Sequence, residues 1–122
     1  MKRKRILVVE DQEDNRRILR DLLTNAGYDI VEATNGREAL AAAAAHRPDL
    51  ILMDIQLPVL DGYETTRRLK ADAALAAIPV IVITSYALSG DEDKAHAAGC
   101  DAYVAKPYSP RALLAKIREF LP

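Results

Sequence analysis

The sequence predicts an α/β fold in which a parallel sheet is packed on both faces by helices and entered through right-handed crossovers. Two observations carry this. Short apolar segments alternate with helical ones five times along the chain. The strongest of them are continuous rather than alternating, as in ILVV (6–9) and LILM (50–53), the pattern of strands covered on both sides.

The first strand, 6–9, follows the basic stretch Lys2-Arg3-Lys4-Arg5, read as a solvated leader rather than a nucleic-acid patch. The first helix spans 14–26. Ile18, Leu19, Leu22, Leu23 and Ala26 fall on one stripe and Arg16, Arg17, Arg20 and Asp21 mostly elsewhere, with Gly27 where a C-terminal cap belongs. YDIVEA (28–33) is a weaker strand whose polar interruptions suit a sheet edge. Residues 36–46 are rich in Ala, the best helix former. The third strand is 50–53, then a helix over 63–72, a strand over IPVIVI (78–83) and a helix over 90–99. AYVA (102–105) is the fifth strand, again read as covered on both faces. The last helix, 109–121, begins with Ser109 as cap and Pro110 at its first position. The five glycines lie at loops or helix ends and read as punctuation.

With 122 residues the chain is expected to form one domain over 1–122, large enough to bury a core. A net charge of −1 calls for neither nucleic acid nor an anionic membrane. The single cysteine, Cys100, excludes an internal disulfide, fits a reducing compartment and reads as a small buried hydrophobe. No apolar run approaches the ~18 residues of a membrane span, and no signal segment stands at the start. A cytoplasmic location is expected.

The chemistry lies at the strand ends. The first strand is followed by Glu10-Asp11, the third by Asp54, the fourth by Thr84 and the fifth by Lys106-Pro107. In an open parallel sheet these ends share one edge, where ligands bind. Each residue alone has a simpler reading, as a helix cap or a solvated charge; their joint occurrence does not. Three carboxylates packed together repel, and without a cation one has its pKa raised. Hard oxygen donors with room for water suit Mg²⁺. A cation, an ammonium and a hydroxyl beside a carboxylate form a receptor for phosphoryl oxygens, and Asp54 can be the nucleophile that accepts the group.

Rival readings fail on the same letters. There is no GxxxxGK[ST] phosphate loop and no GxGxxG after a strand. Gln56 and Pro58 stand where a calcium loop wants acids or Asn. Phosphatases of the haloacid-dehalogenase type pair a strand-end Asp with a second Asp two residues on, where this chain has Gln56. His46, His96 and Cys100 lack metal-ligand spacing.

Over essentially its whole length the chain resembles the receiver domain of bacterial two-component response regulators. The resemblance rests on VVED with Glu10 and Asp11, LILMDIQLPVLDG with Asp54, VIVITSYA with Thr84, and AYVAKP with Tyr103 and Lys106. PDLILMDIQLP and GDEDKAHAAGCDAYVAKP are most similar to the single-domain, DivK-type regulators of alphaproteobacteria. The resemblance implies a flavodoxin-like (βα)5 sandwich with strand order 2-1-3-4-5. It implies that Asp54 takes a phosphoryl group from the phosphohistidine of a sensor kinase or phosphotransfer protein. Mg²⁺ would be held by Asp11 and Asp54, by Glu10 through water and by the backbone carbonyl of Gln56. Lys106 would pair with the phosphoryl oxygens ahead of a cis peptide to Pro107, Thr84 would swing onto the phosphoryl group, and Tyr103 would rotate inward behind it. Glu10 replaces a common Asp, Ser85 a common Ala, and Gln56 and Tyr86 occupy positions that tune phosphoryl lifetime.

The expected role is a phosphorylation-switched signalling module, free-standing or part of a hybrid kinase, rather than a turnover enzyme such as a metal-dependent phosphatase. With no DNA-binding module after Pro122, output is expected through a downstream protein partner. Asn15 and Ile18, with Pro107 and Tyr108, surround the Asp54 crevice and are expected to dock the phosphodonor, unless Ile18 is ordinary core.

Overall fold

Alternation of strand and helix runs the length of the chain. The computed structural model describes residues 3–84 and 91–122. The elements are β1 (Arg5–Val9), α1 (Glu13–Asn25), β2 (Asp29–Ala33), α2 (Gly36–His46), β3 (Leu50–Asp54), α3 (Gly62–Ala71), β4 (Val80–Thr84), α4 (Asp91–Ala97), β5 (Ala102–Ala105) and α5 (Pro110–Phe120). All strand pairs are parallel and the order is β2-β1-β3-β4-β5, so the expected architecture and strand order hold.

The continuous apolar runs serve two cores at once. Ile6, Val8, Leu50, Leu52, Ile81 and Ile83 face one side of the sheet, against Leu19 and Leu23 of α1 and Leu113 and Ile117 of α5. The residues between them, Leu7, Val9, Ile51, Met53, Val80 and Val82, face the other, against Ala39 and Ala43 of α2, Leu69 of α3 and Ala95 of α4. The small side chains of α2 let that helix lie close to the sheet. Cys100 is buried on the same side.

Local signals place the helix ends. Gly27 adopts φ +99 just beyond α1, a conformation that glycine reaches without steric cost. Asn35 caps α2 by accepting from Glu38 N, and Glu38 reaches back to accept from the N–H and hydroxyl of Thr34, each at 2.7 Å. Ser109 caps α5 by accepting from Ala112 N at 3.0 Å.

Several expectations need correction. β5 is an edge strand and only partly covered beyond Ala102, because it has a single sheet neighbour. β4 starts at Val80, leaving Ile78 and Pro79 before the strand. Asp54 and Thr84 are not residues after strands but the last residues within them, paired with Ile83 and Ala105. Ile18 lies on the outward flank of the α1 stripe and is 62% exposed. Arg16, grouped with the residues mostly off the apolar stripe, has a side chain only 11% exposed. It shares the i, i+3, i+7 row of the buried Leu19 and Leu23. Ser85 and Tyr86 lie outside the described residues.

Candidate functional site: an acidic hollow at the carboxyl edge of the sheet

The three central carboxylates come from two adjacent strands. Glu10 and Asp11 leave β1 and Asp54 ends β3, and the register Val9↔Met53 sets these ends side by side. Ligand oxygens of Glu10, Asp11 and Asp54 all lie within 4.8 Å of one another. Glu10 and Asp54 are buried, whereas Asp11 is partly exposed and forms the rim.

Two kinds of contact hold the acids. Backbone amides cap them: Gln12 N donates to Glu10 Oε2 at 3.1 Å and Gln56 N to Asp54 Oδ1 at 3.2 Å. Lys106, from the end of β5, supplies the facing cation. Its Nζ lies 3.4 Å from Glu10 Oε1 and 3.8 Å from Asp54 Oδ2. Its backbone N–H donates to Thr84 O at 2.7 Å, which extends the β4–β5 ladder to the lysine. The Lys106–Pro107 peptide is cis, as the resemblance implied.

Electrostatics follow from the crowding. The Asp11 carboxyl is pushed above the ordinary carboxylate range, first by burial and then by its hydrogen bond and charge interaction with Glu10. Repulsion among the acids was expected to have this effect, and it is the smaller contribution. The Tyr108 phenol is likewise raised, first by burial and then by the carboxylates of Glu10 and Asp54, so it borders the same field. Three carboxylates within reach of one another make an oxygen donor set that fits Mg²⁺.

The remaining expected residues distribute around this centre. Thr84 is buried at the end of β4. By strand alternation it shares the face of Val82, against whose cluster Tyr103 packs, half-buried, on the neighbouring strand. Gln56 is exposed in the loop after Asp54. Asn15, Ile18, Pro107 and Tyr108 line one groove of about 580 Å³ with Leu19, Leu22, Glu10, Lys106 and Pro110, so the expected docking residues do converge beside the acids.

Sequence reasoning missed three supports. Gly62 was read as punctuation, but a Cβ there would overlap the carbonyl oxygen of Asp54 and stand 2.7 Å from Ile55 Cα, so α3 can begin against β3 only with glycine. Val59 adopts φ +70 while 71% exposed, an unusual conformation for a β-branched residue in the loop that carries Gln56. Arg16 Nη1 donates to Glu10 O at 2.8 Å. The helical row it shares with Leu19 and Leu23 was the available signal for that burial.

A five-stranded doubly wound sheet with an acidic hollow and a facing lysine at its carboxyl edge defines a receiver. Residues 6–118 match the response regulator receiver domain, and the chain belongs to that family. It is therefore a response regulator receiver of two-component signalling, a signalling domain. It is 47% identical over 118 residues to the polar-differentiation response regulator DivK of Brucella anthropi, covering 97% of this chain and 96% of that one. Among solved structures it is similar to the receiver domain of a Pseudomonas aeruginosa sensor histidine kinase with a magnesium ion coordinated in the active-site cleft. That match has 35% identity, 98% coverage of both chains and a TM-score of 0.91. The chemotaxis protein CheY4 of Vibrio cholerae matches with 28% identity, 98% coverage of this chain and 99% of the other, and a TM-score of 0.91. Among the described residues no helix is long and apolar enough to cross a membrane.

Proposed function

We propose that residues 1–122 form a receiver unit whose Asp54 accepts a phosphoryl group from a phosphohistidine. A carboxylate oxygen of Asp54 attacks phosphorus, the P–N bond breaks, and the imidazole nitrogen keeps the electron pair. The observation that carries this is the convergence of three carboxylates within 4.8 Å and one ammonium 3.8 Å from the acceptor. Mg²⁺ would be held by Asp11 and Asp54, by Glu10 through water and by the carbonyl of Gln56. It would supply positive charge against the phosphoryl oxygens.

Lys106 offsets the charge of the arriving group, whose oxygens offer it stronger acceptors than the distant carboxylates it now faces. Thr84 turns its hydroxyl to the phosphoryl group, and Tyr103, on the adjacent strand and the same face, takes up the space released. Such coupling is worth about 1–3 kcal/mol, enough to bias two arrangements of the β4–β5 surface toward a downstream protein partner. The histidine-bearing donor, a sensor kinase or phosphotransfer protein, docks in the groove of Asn15, Ile18, Pro107 and Tyr108, where Ile18 is already exposed.

Gln56 offers no second acid beside Asp54, which supports a switch rather than a turnover phosphatase. Likeness to a kinase-borne receiver favours a second reading, in which the same chemistry serves within a hybrid histidine kinase.

The test is incubation with acetyl phosphate and Mg²⁺ followed by mass spectrometry. A single hydroxylamine-labile phosphoryl adduct on Asp54 is expected, absent without Mg²⁺ and absent in Asp54→Asn. An adduct that survives Asp54→Asn would refute the assignment.

A further inference from the structure

We propose that Arg16, outside the acidic hollow, is the positioning residue that sets the Glu10–Asp11 turn and thereby the affinity of the site for a divalent cation; this rests on the Mg²⁺ reading above.

Glu10 is where β1 turns into the site. Its N–H donates to Ala33 O at 3.0 Å, closing the β1–β2 ladder. Its carbonyl receives Arg16 Nη1 at 2.8 Å, and its Oε2 receives Gln12 N at 3.1 Å. The sheet thus holds the peptide that precedes Glu10, and a guanidinium holds the one that joins Glu10 to Asp11. A rotation of that peptide moves both neighbouring carboxylates, because Asp11 is the next residue.

Arg16 is itself held in place. Its Nη2 pairs with Glu13, one turn back on α1, and its Nε lies 3.3 Å from Glu32 on β2. Glu32 is fixed in turn by Arg20 at 2.9 Å. The three acceptors are met by three different nitrogens of one planar guanidinium, Nη1, Nη2 and Nε, whereas a lysine would have to meet them all from a single atom. Bridging α1, β2 and the end of β1, with its side chain 11% exposed, Arg16 forms a rigid bracket behind the turn.

The sign of the effect separates this role from simple charge. As a bare cation near a cation site, Arg16 would repel Mg²⁺, and its removal would tighten binding. As a bracket it holds the carboxylates at the separation that binding needs, and its removal weakens binding. A merely stabilising residue would lower the melting temperature and leave the affinity of the folded protein unchanged.

The experiment is a MgCl₂ titration at fixed ionic strength followed by amide chemical shifts, with thermal melts confirming that each protein is folded at the titration temperature. Arg16→Met is expected to weaken Mg²⁺ binding about tenfold or more, the range for lost outer-shell partners of a metal site. Arg16→Lys should recover part of the loss, and Glu32→Gln should weaken binding less than Arg16→Met. Arg17→Met removes an exposed neighbour that pairs with Asp14, and binding should not change. Unchanged or tighter binding by folded Arg16→Met would overturn the proposal. If that variant does not fold, Glu32→Gln decides, and wild-type affinity there overturns it. Asp11→Asn separates the two levels: if it binds Mg²⁺ like the parent, or the parent binds none, the metal reading falls and takes this inference with it. If Asp11→Asn loses binding and Arg16→Met does not, the bracket alone is wrong.

Discussion

Two lysines, Lys70 and Lys106, reach opposite edges of the same sheet, and their surroundings differ in kind. Lys70, near the end of α3, donates to Ile78 O and Asp101 Oδ2 at 2.8 Å each and to Ala76 O at 3.0 Å. Three short contacts match the three donors of an ammonium. Among the described residues, the Nζ of Lys106 has two longer ones, 3.4 and 3.8 Å, both to carboxylates. At the amino edge the cation is saturated and acts as a staple between α3 and the entries to β4 and β5. At the carboxyl edge the contacts among the described residues are fewer and longer. On the proposed reading, this difference separates a structural cation from one that meets an incoming phosphoryl group.

The largest expected effect lies at the closed edge. Lys70→Met removes three hydrogen bonds and leaves two carbonyls and Asp101 short of a donor, and should lower stability by about 2 kcal/mol in urea unfolding. Labelling of the folded variant by acetyl phosphate should keep its rate; a slowed rate would break the division between the two edges. Lys106→Met should do the reverse, changing stability by less than about 1 kcal/mol while slowing labelling on the order of tenfold or more. A smaller effect is expected at the groove. Ile18→Asp should slow transfer from a phosphohistidine donor several-fold and leave labelling by acetyl phosphate unchanged, since the small donor needs no docking surface.

The smallest effect sharpens the electrostatics. A carboxyl whose pKa is raised by folding contributes stability that is present at low pH and lost as pH rises through the folded value. In EDTA, Asp11→Asn should therefore be slightly more stable than the parent at neutral pH, and the gap should close as pH falls through the raised Asp11 pKa. With Mg²⁺ present the order should invert, because only the parent can use the cation. Equal pH profiles in EDTA would contradict the crowding of Asp11 by burial and by Glu10.

How much could be read in advance depended on the range of the forces involved. Apolar runs, Gly27 and the Ser109-Pro110 pair act locally, and they located strands and helix ends to within a residue or two. The strand-end acids and Lys106 were legible because a parallel sheet must bring such ends to one edge. Arg16 was not, since helical period alone does not say that a charge on the buried row will find a carbonyl at Glu10. Gly62 was misread for a similar reason: its need for close approach to Asp54 exists only once α3 packs on β3. β5 was judged covered from its letters, although edge or centre depends on which strand ends the sheet.

By itself, then, the amino-acid order determined the succession of elements, the two-sided burial of the central strands and the identity of the groups gathered at one edge. Those follow from hydrophobic period and chain connectivity. Tertiary structure decided how tightly each group is held: Lys70 has three short contacts, Lys106 has longer ones among the described residues, Ile18 is exposed and Arg16 enclosed. These are outcomes of packing between segments distant in the chain, and distances of 2.8 against 3.8 Å have no signature in a local run of residues.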